Sequence, residues 1–128
     1  MDIKELVPKH KSDFDRINDL KKLSLDQIRP ILPDLLEWLQ DINWPIAIEV
    51  EEILIGFQEE LVPHLKNIFN VVDGQWKYFL LYGLIKRLPD EVLVELKEDL
   101  ERMLYYPTRD EIDEELDDIL KKLLQRIM

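Results

Sequence analysis

The chain has 128 residues, no cysteine and a formal net charge of −11. That length suits one domain over residues 1–128 with a sizeable core. The lack of cysteine excludes disulfides, thiolate metal sites and a cysteine nucleophile, and the negative charge argues against nucleic acid, whose binding begins with a positive patch.

The first residues, Met1-Asp2-Ile3-Lys4-Glu5, lack the apolar stretch of a signal peptide. No apolar run is long enough to span a membrane. Both point to a cytoplasmic protein without a membrane partner. Asp13 to Leu23 should form a short helix with Phe14, Ile17, Leu20 and Leu23 inward. Ser24-Leu25-Asp26-Gln27 reads as a capping box, with Leu23 and Ile28 placed as a hydrophobic staple. The next continuous helix should start near Pro33 and stop near Asp41, before Asn43-Trp44-Pro45 breaks the pattern. A further helix is expected from Pro45 to about Ile55, with Gly56 as its left-handed cap. Another should run from Pro63 to about Val71.

Asp73 can cap a helix from Gly74 to about Leu88 that is apolar nearly all round and so belongs at the centre of a bundle. Pro89-Asp90-Glu91 opens the next, with Val92, Leu93, Leu96, Leu100, Met103 and Leu104 inward. Thr108-Arg109-Asp110-Glu111 is a second capping box. It opens a last helix with Ile112, Leu116, Ile119, Leu120, Leu123, Leu124 and Ile127 on one face and the four-apart pairs Asp117–Lys121 and Asp118–Lys122. No segment reads as a strand.

The openings Asn43-Trp44-Pro45, Asp73-Gly74-Gln75-Trp76 and Pro107-Thr108-Arg109 recur at about 32 residues, the period of helix-pair repeats. The expected fold is therefore all-α: stacked antiparallel helix pairs of HEAT-like kind, about six to seven helices in all.

The same segments resemble an uncharacterised bacterial family, domain of unknown function 5071. The resemblance starts at Leu6-Val7-Pro8 with Lys11 and Asp13, and runs through Leu32-Pro33-Asp34-Leu35-Leu36-Glu37-Trp38-Leu39-Gln40-Asp41-Ile42-Asn43-Trp44-Pro45-Ile46-Ala47. It continues in Trp76-Lys77-Tyr78-Phe79, Leu100-Glu101-Arg102 and Tyr106-Pro107-Thr108. Its motif-bearing residues include Glu37, Trp38, Asp41, Asn43, Trp44 and Trp76. It implies a HEAT-like fold and a bacterial source, and no reaction. By fold and charge alone, such a domain is similar to some immunity proteins of toxin systems.

No catalytic or metal-binding constellation stands out, and no cofactor is expected. His10 and His64 are isolated, and the only serines are Ser12 and Ser24. The acidic stretch from Asp110 to Asp118 lacks the glycine and the spacing of a calcium loop and reads as a solvated helix face. The expected activity is protein interaction with a basic partner protein, of immunity type. The candidate contact residues are Glu49, Glu52, Lys77, Tyr78 and Tyr82, with Asp110, Asp113 and Asp117 at the acidic end. The alternative is a small-molecule or metal-dependent enzyme or sensor using a carboxylate cleft at Glu37 and Asp41; a third is a scaffold domain.

Overall fold

Short polar side chains and prolines decide where several of the helices begin. In a computed structural model that describes residues 2–128, Asp13, Ser24, Asp73 and Thr108 stand at helix starts and Pro30, Pro33 and Pro63 in first turns, and no strand occurs among the described residues. The chain forms two compact units, the first ending at Phe57 and the second running Gln58–Met128.

The first unit opens with a 3-10 turn, Ile3–Leu6. Asp13 then caps α1 (Phe14–Lys21) by accepting the Arg16 N–H. Ile17 and Leu20 are buried, whereas Phe14, expected inward, is exposed. Ser24 and Gln27 form the expected capping box. It opens a helical run earlier than Pro33: α2 (Leu25–Ile28), a 3-10 turn (Arg29–Ile31), α3 (Leu32–Leu36) and a second 3-10 turn (Glu37–Leu39). Pro30 and Pro33 each fall in a first turn, where a missing N–H costs nothing, and the helix restarts at each. The unit closes with α4 (Ala47–Ile55).

Gly56 is not the left-handed cap the sequence suggested. It keeps right-handed angles (φ −66°, ψ −18°), which carries Phe57 into the core; the left-handed residue is Gln58, at φ 49°.

The second unit begins with a 3-10 turn, Gln58–Leu61, feeding α5 (Val62–Phe69). The Asp73 carboxylate caps α6 (Gly74–Tyr82) through the Trp76 N–H. That helix stops six residues short of Leu88, breaking at Gly83 before a 3-10 turn over Ile85–Arg87. Leu80, Leu81, Leu84 and Ile85 are fully buried, as its all-round apolar sequence requires. There follow α7 (Asp90–Leu93), a 3-10 turn (Val94–Leu96) and α8 (Lys97–Tyr105). The three helices α3, α5 and α8 share one kind of start. Each is entered from a 3-10 turn through an apolar, buried residue (Ile31, Leu61, Leu96) with no side-chain cap.

The last expected helix is two: α9 (Arg109–Asp113) and α10 (Asp117–Arg126), with Glu115 left-handed between them at φ 53°. The reason is helical phase. At 3.6 residues per turn, Glu111 would lie roughly 140° away from the stripe Leu116, Ile119, Leu120, Leu123 on one straight helix. Both Glu111 and that stripe are buried, so the helix breaks and turns. Ile112, expected inward, is consequently 55% exposed. The pairs Asp117–Lys121 and Asp118–Lys122 do not close; among the described residues the four-apart pairs that form are Lys97–Glu101 at 4.0 Å and Arg109–Asp113 at 3.2 Å.

Within this second unit α6 packs on α9 and α8 on α10. Three polar links repeat one separation. Lys66 Nζ donates to Asp99 at 2.9 Å, Arg102 donates to the Phe69 carbonyl at 3.2 Å and Lys77 Nζ donates to Asp110 at 2.8 Å, each across 33 positions.

Candidate functional site

Two places carry chemistry, one in each unit. In the first, the segment from Val7 to Asp13 and the run from Asp34 to Trp44 enclose an open cleft of about 350 Å³. Its lining is aromatic and acidic: Trp38 and Trp44 with Asp34, Glu37 and Gln40, closed by Val7 and Pro8. The indole rings meet edge to face, with centroids 5.4 Å apart.

Local hydrogen bonds fix these walls. The Asp13 carboxylate accepts the Lys9 N–H at 2.9 Å and the Arg16 N–H. Burial acts to raise its pKa, but these two backbone bonds prevail and hold it below the ordinary value. The Lys11 carbonyl accepts the Ile46 N–H at 3.1 Å, fastening the Val7–Asp13 segment to the start of α4. The Asp41 carboxylate accepts the Asn43 N–H at 2.9 Å, which forms the turn that sets Trp44. Trp38 and Trp44 are thus half-buried, and Glu37 is exposed at the rim.

In the second unit the feature is a buried ion cluster. Lys77 and Glu111 are each 1% exposed. Lys77 Nζ donates to Asp110 Oδ2 and Glu111 Oε2, both at 2.8 Å. Arg102 grips the Glu111 carboxylate with two parallel bonds of 2.6 Å, and the Thr108 N–H donates to the same carboxylate at 2.9 Å. Burial alone would raise the Glu111 pKa; the bonds from Arg102, Lys77 and Thr108 overcome it and take it from 4.5 to about 2. Asp110 is also lowered, burial being outweighed by Lys77 and by the Thr108 hydroxyl, which donates at 2.6 Å. The Arg102 guanidinium is raised, chiefly by its bond to Glu111. Gly74 permits the approach: a Cβ there would lie 2.2 Å from the Asp110 carbonyl oxygen.

The candidate contact residues fare unequally. Lys77 is interior and cannot meet a partner, because an unpaired ammonium there would leave Glu111 and Asp110 uncompensated. Asp110 is committed to it. Glu49 pairs with Lys21 at 2.6 Å and Asp113 with Arg109. Glu52 and Asp117 are exposed. Tyr78 and Tyr82 lie with ring centroids 4.6 Å apart; Tyr82 is partly exposed, and burial, then Tyr78 and then Asp118 raise its pKa. Trp76 is a core residue. Glu37 and Asp41 do not form a buried pair: one rims the cleft, the other holds a turn. Among the described residues no group of three metal-ligating side chains converges. No described helix is long and apolar enough to cross a membrane.

The residues that sequence reasoning missed are Asp34, Gln40, Arg102 and Glu111. The signal for Glu111 was its position off the apolar stripe of α10; for Arg102 it was none beyond the resemblance. The chain matches the model of a family described as a domain of unknown function (DUF5071) over residues 6–124. It therefore belongs to that family. No curated protein matches it.

Proposed function

We propose that this family member is a non-enzymatic protein-interaction module that grips a basic partner protein, in the manner of an immunity protein, within the bacterial cytoplasm. The observation that carries the reading is the cleft in the first unit, where two tryptophans stand beside the carboxylates of Asp34 and Glu37. A lysine or arginine side chain is the group that such a lining suits. Indole attracts a cation by about 0.5–2 kcal/mol depending on desolvation, and a guanidinium can also meet a carboxylate through two parallel bonds. The net charge of −11 favours the encounter with a basic protein.

For the fold we favour HEAT-like stacking of the helix pairs of the second unit, a reading supported by the three links at 33 positions. The alternative, an enzyme or sensor working through Glu37 and Asp41, has less support, because the Asp41 carboxylate already holds the turn before Trp44.

The test compares capture from bacterial lysate by the wild-type chain and by the double variant Asp34→Asn, Glu37→Gln. A stoichiometric basic protein that the wild type retains and the variant loses is the expected result. Retention of the same proteins by both chains, or of no basic protein by either, would refute the reading.

A further inference from the structure

A second surface lies on the other unit. Leu104 of α8, Pro107, Ile112 of α9, Glu115, and Asp117 and Asp118 of α10 line an open groove of about 550 Å³. Of its apolar lining, Ile112 is 55% exposed while Leu104 and Pro107 are half-buried, and Tyr105 and Tyr106, which lead into Pro107 outside the lining, are 67% and 79% exposed. Isolated exposed apolar side chains are ordinary, but contiguous ones with a polar rim mark contact surfaces.

The charges around it are distributed unevenly. Three of the four acids just before the groove are engaged: Asp110 by Lys77, Glu111 by Lys77 and Arg102, Asp113 by Arg109. Glu115, Asp117 and Asp118 have no hydrogen bond or ion pair to a cation among the described residues. Asp117 and Asp118 sit in the first turn of α10, where the helix dipole accounts for their sign. It does not account for Glu115, which precedes the helix, nor for the apolar floor between these acids and Pro107.

We infer that this groove docks a partner segment that presents a large apolar side chain beside lysine or arginine, as on one face of an amphipathic basic helix. The apolar side chain fills the space between Leu104, Pro107 and Ile112, and the flanking cations meet Glu115, Asp117 and Asp118. The inference shares with the proposed function the sign of the partner's charge, but it uses no residue of the tryptophan cleft, so the two stand or fall separately.

The experiment measures fluorescence anisotropy of a labelled amphipathic peptide of leucine and lysine, at low and moderate salt. Its leucine–glutamate counterpart serves as control. Four chains are compared: wild type, Ile112→Glu, the pair Asp117→Asn with Asp118→Asn, and the cleft pair Asp34→Asn with Glu37→Gln. All substituted side chains of the groove are exposed, so a circular-dichroism melt should match the wild type. The expected result is binding of the lysine peptide alone, weakened by about tenfold or more in Ile112→Glu. Each removed carboxylate should weaken it by about twofold to fivefold at low salt. The cleft pair should bind as the wild type does. No binding, equal binding of the glutamate peptide, or a loss confined to the cleft pair would overturn it. In the last case the peptide sits in the cleft, which supports the proposed function while removing this one.

Discussion

Glu111→Gln keeps the shape of a buried side chain and removes its charge. In the folded chain that carboxyl titrates at about 2 against 4.5 when free. At about 1.4 kcal/mol for each tenfold in proton affinity, the gap amounts to about 3 kcal/mol of stability at neutral pH. The geometry gives the same scale: breaking a buried, hydrogen-bonded ion pair by removing one partner costs about 3–5 kcal/mol, and here Lys77 would keep Asp110 while Arg102 would lose its anionic partner and one of its two acceptor oxygens. Because the folded carboxyl titrates below the free one, this stability is fully present above pH 4.5 and is lost as pH falls through about 2. Urea unfolding can be followed by Trp76 emission, with Trp38→Phe and Trp44→Phe in both chains so that the signal reports the second unit. The variant should be less stable by about 3 kcal/mol at neutral pH, and the two chains should converge near pH 2. A neutral-pH difference below about 1 kcal/mol, the value of an exposed pair, would refute the reasoning. So would a difference that stays constant as pH falls.

Gly74→Ala should destabilise the second unit by about 1–3 kcal/mol although alanine is the better helix former, because the added Cβ meets the Asp110 carbonyl oxygen at 2.2 Å and Glu114 Cγ at 2.8 Å. A thermal melt that rises instead would show that α9 can retreat from α6 at little cost. Gln58→Gly should act in the opposite direction. Left-handed angles cost an L-residue about 1–2 kcal/mol and glycine's extra freedom costs about 0.5–1, leaving a gain of roughly 0.5–1 kcal/mol. A lower melting temperature for that variant would contradict the backbone angles at Gln58.

What the sequence made legible was local. Asp73 and the box at Ser24 announce their helices because the cap and the backbone N–H it serves lie within three residues. Helix ends were less legible, since the burial of Phe57 depends on the core it enters and Gly56 merely follows. The ion cluster was hidden by distance. Lys77 looked like a surface cation, although a lone charge inside Trp76-Lys77-Tyr78-Phe79 is also what a paired, interior lysine looks like. Its partners stand 33 and 34 positions away. The acidic run from Asp110 to Asp118 looked uniform, whereas one of its members is buried and others form an open rim. In the cleft, Trp38 and Trp44 meet edge to face, and the Asp34 carboxylate beside them became visible only once the chain had folded.

The three links at 33 positions act as a ruler laid along the second unit. All three spans include the stretch from Lys77 to Asp99, so one residue gained or lost within its helices turns Lys66, Phe69 and Lys77 out of phase with their partners at once. The turn at Val71 and Val72, both exposed, is different. It lies between α5 and α6, and extra length there can bulge outward while each helix keeps its angular position. Length variation among the relatives of this chain should therefore gather in that turn and spare the helices on either side, even where every individual residue has changed.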